Sequence, residues 1–206
     1  PGHGTVFHED VLEADGGNPG TLRVAMEWID HEENNLHLTE DTTFEFHVDE
    51  HWRMIDRETT LTAERDVDLS DNKEGFCGIR VHNALRLDKT GTYLTSEDIE
   101  GDGGGNDAWG TRADWVRLDG EIGDEPVSVT MMDHPDNVGS PTYWHARSYG
   151  LFSANPLGAE AFGGDPLGFE LPEGESVTFR FRLYLTDNVL PAETADQLHS
   201  QFADET

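Results

Sequence analysis

Lysine is nearly missing from this sequence. Thirteen residues are basic, and Lys73 and Lys89 are the only lysines among them. Asp and Glu together number 43, which leaves a formal net charge of -30. A chain so poor in cations has no basic stripe with which to neutralise phosphates. Nucleic acid and anionic membrane surfaces are therefore excluded as partners. Cysteine is reduced to Cys77, so there is no intrachain disulfide. Cys77 lies in an apolar strand pattern and reads as a small core residue. No run approaches the ~20 apolar residues of a membrane span, and no secretory signal peptide is visible. The chain opens Pro1-Gly2 rather than with Met, which points to residues upstream. The expected location is a cytoplasm, and a salty one.

Aromatic residues and alternation are what the sequence has. Five Trp and ten Phe are spread along the chain, too many for the disorder that an acidic, weakly hydrophobic composition otherwise suggests. A folded protein with a strongly solvated acidic surface fits better. Molar salt screens the self-repulsion of such a surface to within a few ångströms, the Debye length being ~3 Å at 1 M. The composition resembles that of proteins from organisms with a salt-filled cytoplasm.

Period-2 alternation predicts strands at 21–30, 42–48, 52–63, 76–82, 113–118, 126–132, 143–149 and 176–186. In the last of these Val177, Phe179, Phe181, Leu183 and Leu185 share one face, with Arg180, Arg182 and Tyr184 on the other. Residues 48–52 read as a hairpin turn. One helix is expected at 191–203, with Pro191 in its first turn and an Ala195, Leu198, Phe202 stripe. The glycine-rich stretch 98–107 and the Pro- and Gly-bearing region 155–175 read as long loops. The fold class is all-β: an antiparallel β-sandwich, of simple or supersandwich kind, with one C-terminal helix. It forms a single domain over 1–206.

Several segments carry candidate chemistry. His47-Val48-Asp49-Glu50-His51 spells the H-x-x-E-H string of zinc proteases. That chemistry needs a helix, so that both histidines leave one face. The local period is 2, which favours an acidic hairpin tip. Asp98 to Asp107 is rich in carboxylates but lacks the register of a calcium loop. Asp71 to Arg80 sets Lys73 beside Glu74 and enters a strand through two glycines; a pocket mouth and a structural ion pair compete there. Trp109, Arg112, Asp114 and Trp115 suit a sugar ring, whose C–H faces stack on aromatics; two core Trp with a surface ion pair are the alternative.

The densest cluster joins Asp133, His134 and Asn137 to the run Tyr143 to Phe152. Alternation puts Tyr143, His145, Arg147 and Tyr149 on one face. His145 is a candidate general acid or base, and Arg147 a candidate anchor for a carboxylate or a hydroxyl pair. A hydrogen-bonded structural network at a strand end is the competing reading.

The strings MDHPDN, PTYWHARSYGLFSANPLG, KEGFCGIRV and WGTRADWV resemble the PmoA-like family, in the same order over about residues 5–185, and the chain looks like a haloarchaeal-type member. The family label refers to methane oxygenase. The membrane form of that enzyme needs transmembrane helices, so the resemblance does not imply the activity. It does imply a β-sandwich protein of carbohydrate metabolism. By position the family pattern covers Lys73, Glu74, Arg80, Trp109, Arg112 and Asp114. It continues through Trp115, Asp133, His134, Trp144, His145 and Arg147, without fixing their roles. Members usually carry a further His-rich segment ahead of the strand resembling Gly4–His8, and this chain begins there, so that segment is expected to be missing.

The leading expectation is a carbohydrate-active or sugar-binding sandwich. His134 or His145 would do acid–base work, with Glu74 or Asp133 as partner carboxylate. Arg80, Arg112 and Arg147 would anchor polar groups; Trp109, Trp144 and Tyr149 would offer rings to a sugar-like small molecule. A second expectation is a metal-dependent oxygenase or hydrolase built on His134, His145 and Asp133, since two His and a carboxylate can hold iron. A third is a non-catalytic structural or partner-binding sandwich. No cofactor is indicated, and the oligomeric state stays open.

Overall fold

The computed structural model describes residues 4–30, 34–101 and 108–205. Residues 102–107, most of the expected glycine-rich loop, lie outside them. The long strands follow the alternation in the sequence: β1 (Gly4–Asp15), β2 (Gly20–Asp30), β3 (Leu36–Val48) and β4 (Trp52–Ala63) form a meander. Shorter strands follow: β5 (Val67–Leu69), β6 (Cys77–Arg80), β7 (Thr92–Thr95) and β8 (Glu100–Gly101). Then come β9 (Trp115–Ile122), β10 (Glu125–Asp133), β11 (Tyr143–Trp144), β12 (Leu151–Asn155), β13 (Phe169–Leu171) and β14 (Ser176–Thr186). Helix α1 (Ala192–Ala203) ends the chain.

Nine strands make one antiparallel sheet in the order β1-β2-β3-β4-β14-β10-β9-β7-β8. The late strand β14 is inserted between β4 and β10, pairing with β4 from Ser176↔Thr62 to Thr186↔Trp52. Tight turns set the hairpins. Between β9 and β10, Gly123 and Asp124 both have positive φ, 62° and 69°. Two left-handed residues are what a two-residue hairpin turn needs to match strand twist.

Alternation sorts the side chains into two cores. On the inner face Leu61, Phe179, Phe181, Met131 and Leu118 are buried against Cys77, Trp144 and Phe152. The latter come from a three-stranded sheet, β11-β12-β6, and a two-stranded sheet, β13-β5, adds Val67, Leu69, Phe169 and Leu171 to the same core. Each such large side chain contributes roughly 1.5–3 kcal/mol on burial. On the outer face Trp115 and Met132 pack with Leu190, Ala195 and Phe202, so α1 covers the β9–β10–β14 part of the sheet. Trp115 Nε1 donates to Asp196 on the helix at 2.9 Å. The architecture is an all-β sandwich with one C-terminal helix.

The strand expected over 143–149 is cut short. Only Tyr143–Trp144 is regular, because Gly150, at φ 91°, turns the chain back into β12. Its residues still bond alternately to β12: His145 N–H donates to Ser153 and Arg147 N–H to Leu151. The sidedness of a strand therefore persists to Arg147. Among the described residues no helix is long and apolar enough to cross a membrane.

Candidate functional site

The sidedness just described sends Trp144 and Ala146 into the core, each 0 % exposed, and His145 and Arg147 to the other side. Loop 70–76 and the start of β6 are pressed onto that side by Gly75 and Gly78. A Cβ on Gly75, whose φ is 92°, would lie 2.1 Å from Ser153 Oγ, and one on Gly78 would lie 2.8 Å from the same atom. Only glycine lets the loop approach closely enough for the Lys73 carbonyl to bond His145 Nδ1. A carbonyl only accepts, so Nδ1 carries the proton in the neutral ring, and Nε2 presents a lone pair. Burial, the leading cause, pushes the His145 pKa below its ordinary value, and the nearby Arg147 cation acts in the same direction. His145 is 3 % exposed, and its Nε2 is buried without a hydrogen-bond partner.

Trp109 stands over this histidine, edge to face at 6.4 Å between centroids. It is held there by the neighbouring Gly110 N–H, which donates to the Trp144 carbonyl at 2.7 Å. Phe162 flanks Trp109 at 5.3 Å and stacks on Tyr143 at 5.4 Å. The Arg147 guanidinium lies 4.5 Å from the Trp109 ring and 5.5 Å from that of Tyr149. Arg80 lies 5.4 Å from the same Tyr149 ring. Glu74 bonds Lys73, and that hydrogen bond holds its carboxyl below the usual range. Trp109 and Tyr149 remain 38 % and 43 % exposed, so two aromatic rings face solvent beside two guanidinium groups.

The partners of the arginines set this patch apart. Arg23, Arg57, Arg86, Arg117, Arg180 and Arg182 each lie within 4.0 Å of a carboxylate. Arg53, Arg65 and Arg112 donate to main-chain carbonyls. Among the described residues, Arg80 and Arg147 do neither and rest only on aromatic faces. Arg147 Nε is buried without a partner.

The other expected site residues lie elsewhere. Asp133 is 1 % exposed; it accepts from Asn137 Nδ2 at 2.7 Å and from the Thr142 N–H at 3.0 Å. His134 is also 1 % exposed. Its Nδ1 accepts from the Asp136 N–H, its Nε2 bonds the Glu205 carbonyl, and its ring meets Phe202 at 5.0 Å. Arg112 clamps the Gly139, Ser140 and Pro141 carbonyls. Trp144 is wholly enclosed, with Nε1 donating to the Ala113 carbonyl, and has no face to offer a ligand. His134, His145 and Asp133 do not form a metal-sized group; among the described residues one such group exists, and it is Glu45, His47 and Asp56. Sequence reading missed Phe162, which closes a single 3-10 turn, Glu160–Phe162, too short to show a periodicity.

The Family of unknown function (DUF6807) matches residues 1–200, and the chain belongs to that family. No curated protein is significantly similar to it. The chain is similar to the Slr1438 protein from Synechocystis sp. PCC 6803, with a TM-score of 0.40 and 9 % identity over 87 % of its residues. It spans 66 % of the length of that protein.

Proposed function

We propose that this protein binds a carbohydrate carrying a carboxylate, a sugar acid, on the patch formed by Trp109, Tyr149, Arg80, Arg147 and His145. The observation that carries the reading is that, among the described residues of a strongly acidic chain, neither Arg80 nor Arg147 pairs with a carboxylate. The other nine arginines are held by carboxylates or main-chain carbonyls; here aromatic rings hold the guanidinium planes apart and ready. A planar fork matches a carboxylate with two parallel hydrogen bonds. The exposed rings of Trp109 and Tyr149 suit the C–H faces of a pyranose. The His145 Nε2 lone pair beneath Trp109 is a hydroxyl acceptor, or a base, for a ligand that displaces the indole. The resemblance to PmoA-like proteins fits the same reading.

The test is calorimetric titration in molar KCl with glucuronate, galacturonate and their neutral parent sugars. The uronates are expected to bind and the neutral sugars to bind more weakly. Arg147→Ala should weaken uronate binding roughly tenfold to a hundredfold, the loss of a charge-assisted hydrogen-bonded contact of about 1.5–3 kcal/mol. Trp109→Ala should weaken both ligand classes. Equal affinity for acid and neutral sugar, or no binding by any member, would end the proposal.

A further inference from the structure

The face of the large sheet turned away from the small sheets holds a second cluster, independent of the first. Register places Glu45 opposite Asp56, with His47 two residues along β3 on the same face. His47 Nε2 lies 3.8 Å from Glu45 Oε2 and 3.7 Å from Asp56 Oδ2. The three ligand atoms all fall within 4.8 Å of one another. A second observation points to a ligand. His47 Nε2 is cut off from solvent and has no hydrogen-bond partner, although two carboxylates face it. At 3.7 and 3.8 Å the oxygens are too distant to bond the ring. Yet they are close to the ~3.4 Å that separates neighbouring ligands around a four-coordinate ion with bonds of ~2.0–2.1 Å.

We infer that Glu45, His47 and Asp56 form a binding site for one divalent transition-metal ion, of the zinc, iron or manganese class. One imidazole and two carboxylates make a donor set that suits these ions better than calcium or magnesium. Arg182 supports the site from below: its Nε and Nη2 donate to Asp56 Oδ1 and Oδ2 at 2.6 and 2.9 Å, fixing the carboxylate plane. Acidic groups outnumber the cations around it. Glu58 and Glu205 join Glu45 and Asp56, against Arg57, Arg180 and Arg182. Glu45 is half-exposed and opens onto a cleft of about 300 Å³ walled by Glu58, Arg180, Phe202 and Glu205. A bound ion would keep coordination positions open to that cleft. His51, the other histidine of the H-x-x-E-H string, faces away and bonds Asp187 at 2.8 Å.

The experiment uses the full chain, stripped with chelator and returned to molar KCl, which screens diffuse cation binding to the acidic surface. Zn²⁺ is titrated by calorimetry and Co²⁺ by its visible absorption. One equivalent of each is expected to bind, and Co²⁺ should develop ligand-field bands. Glu45→Gln and His47→Ala should each weaken binding by roughly tenfold or more, and His51→Ala should leave it unchanged. Glu45 is on the surface, so Glu45→Gln tests the site in a folded chain, checked by circular dichroism. Wild-type protein that takes up neither ion, or variants that bind as the wild type does, would overturn the inference.

Discussion

Asp133 is a carboxylate set where a carboxylate is least comfortable. Burial raises its pKa to about 6 from 3.8, and the hydrogen bonds from Asn137, Ser140 and Thr142 recover only part of that cost. The native state therefore holds a proton that the unfolded chain has already released between these two values. Stability must fall as pH rises through that window, and the penalty is complete above it. The difference corresponds to about 3 kcal/mol. The stability of wild type minus that of Asp133→Asn, from urea denaturation at fixed molar salt, should accordingly fall by most of that amount between pH 4 and pH 7. A difference independent of pH would show that Asp133 ionises as easily folded as unfolded. The neighbourhood also shows what a sequence can say about a site. The run from Asp133 to Tyr149 is dense in polar groups, and density does not reveal what the groups bond to. Asp133 and His134 spend their capacity on backbone and on Asn137. Arg147 and His145 keep an atom without a partner. Alternation does place His145 and Arg147 on one side, opposite Trp144, and that much was legible. Lys73, Trp109 and Phe162 join them only through loop packing.

At the scale of elements, legibility followed the length and purity of the alternating pattern. The whole of β14 was readable because every inward position from Val177 to Leu185 is apolar; β4 was readable from its aromatic start and threonine-rich run, although Arg57 occupies an inward position opposite Phe181 and Phe44. The first half of β3 was not, and the reason is physical. Glu40 and Thr42 occupy inward positions there, 4 % and 0 % exposed, where a strand pattern calls for apolar residues. They are satisfied inside the sandwich. Trp28 Nε1 donates to Glu40 Oε2 at 2.7 Å, Thr42 Oγ1 to Oε1 at 2.6 Å, and Arg57 approaches Oε1 at 3.4 Å. This web ties β2, β3 and β4 together across the sheet. Removing the carboxylate alone strands an arginine and an indole N–H in low dielectric. Glu40→Ala should therefore cost about 3–5 kcal/mol, as broken buried ion pairs do. Glu40→Gln, which keeps one acceptor, should cost less. Denaturant midpoints for the two variants decide it, and a loss within error for Glu40→Ala would mean the web does not hold the strands. The short strands β5, β7, β8 and β13 were illegible for a simpler reason: so few positions cannot display a period.

At the scale of the whole molecule, charge governs. A formal charge of -30 is spread over 206 residues, and much of it lies on strand faces that no other layer covers. Edge strand β1 carries Glu9, Asp10, Glu13 and Asp15, together with exposed Val6, Phe7, Val11 and Leu12. Its register slips between His8 and Asp10 and again between Val11 and Glu13. Bulges and like charges are two means of keeping an edge from pairing with another copy, and only the charges are weakened by salt. Compaction of so acidic a chain brings carboxylates within each other's reach, while the unfolded chain holds them farther apart. At 0.1 M salt the Debye length is ~10 Å, long enough for neighbouring strands to repel; at 1 M it is ~3 Å. The melting temperature should therefore rise with KCl concentration, most steeply below about 1 M, and by the same amount in NaCl at equal ionic strength, since screening does not distinguish the cations. The bulged edge should keep the chain from assembling through β1 as the charges are screened, which light scattering across the same series would register. A melting temperature unchanged between 0.1 and 2 M KCl would mean that local pairs such as Arg23–Asp41 and Arg180–Glu58 already neutralise the field where it matters. The acidic surface would then serve hydration rather than fold stability.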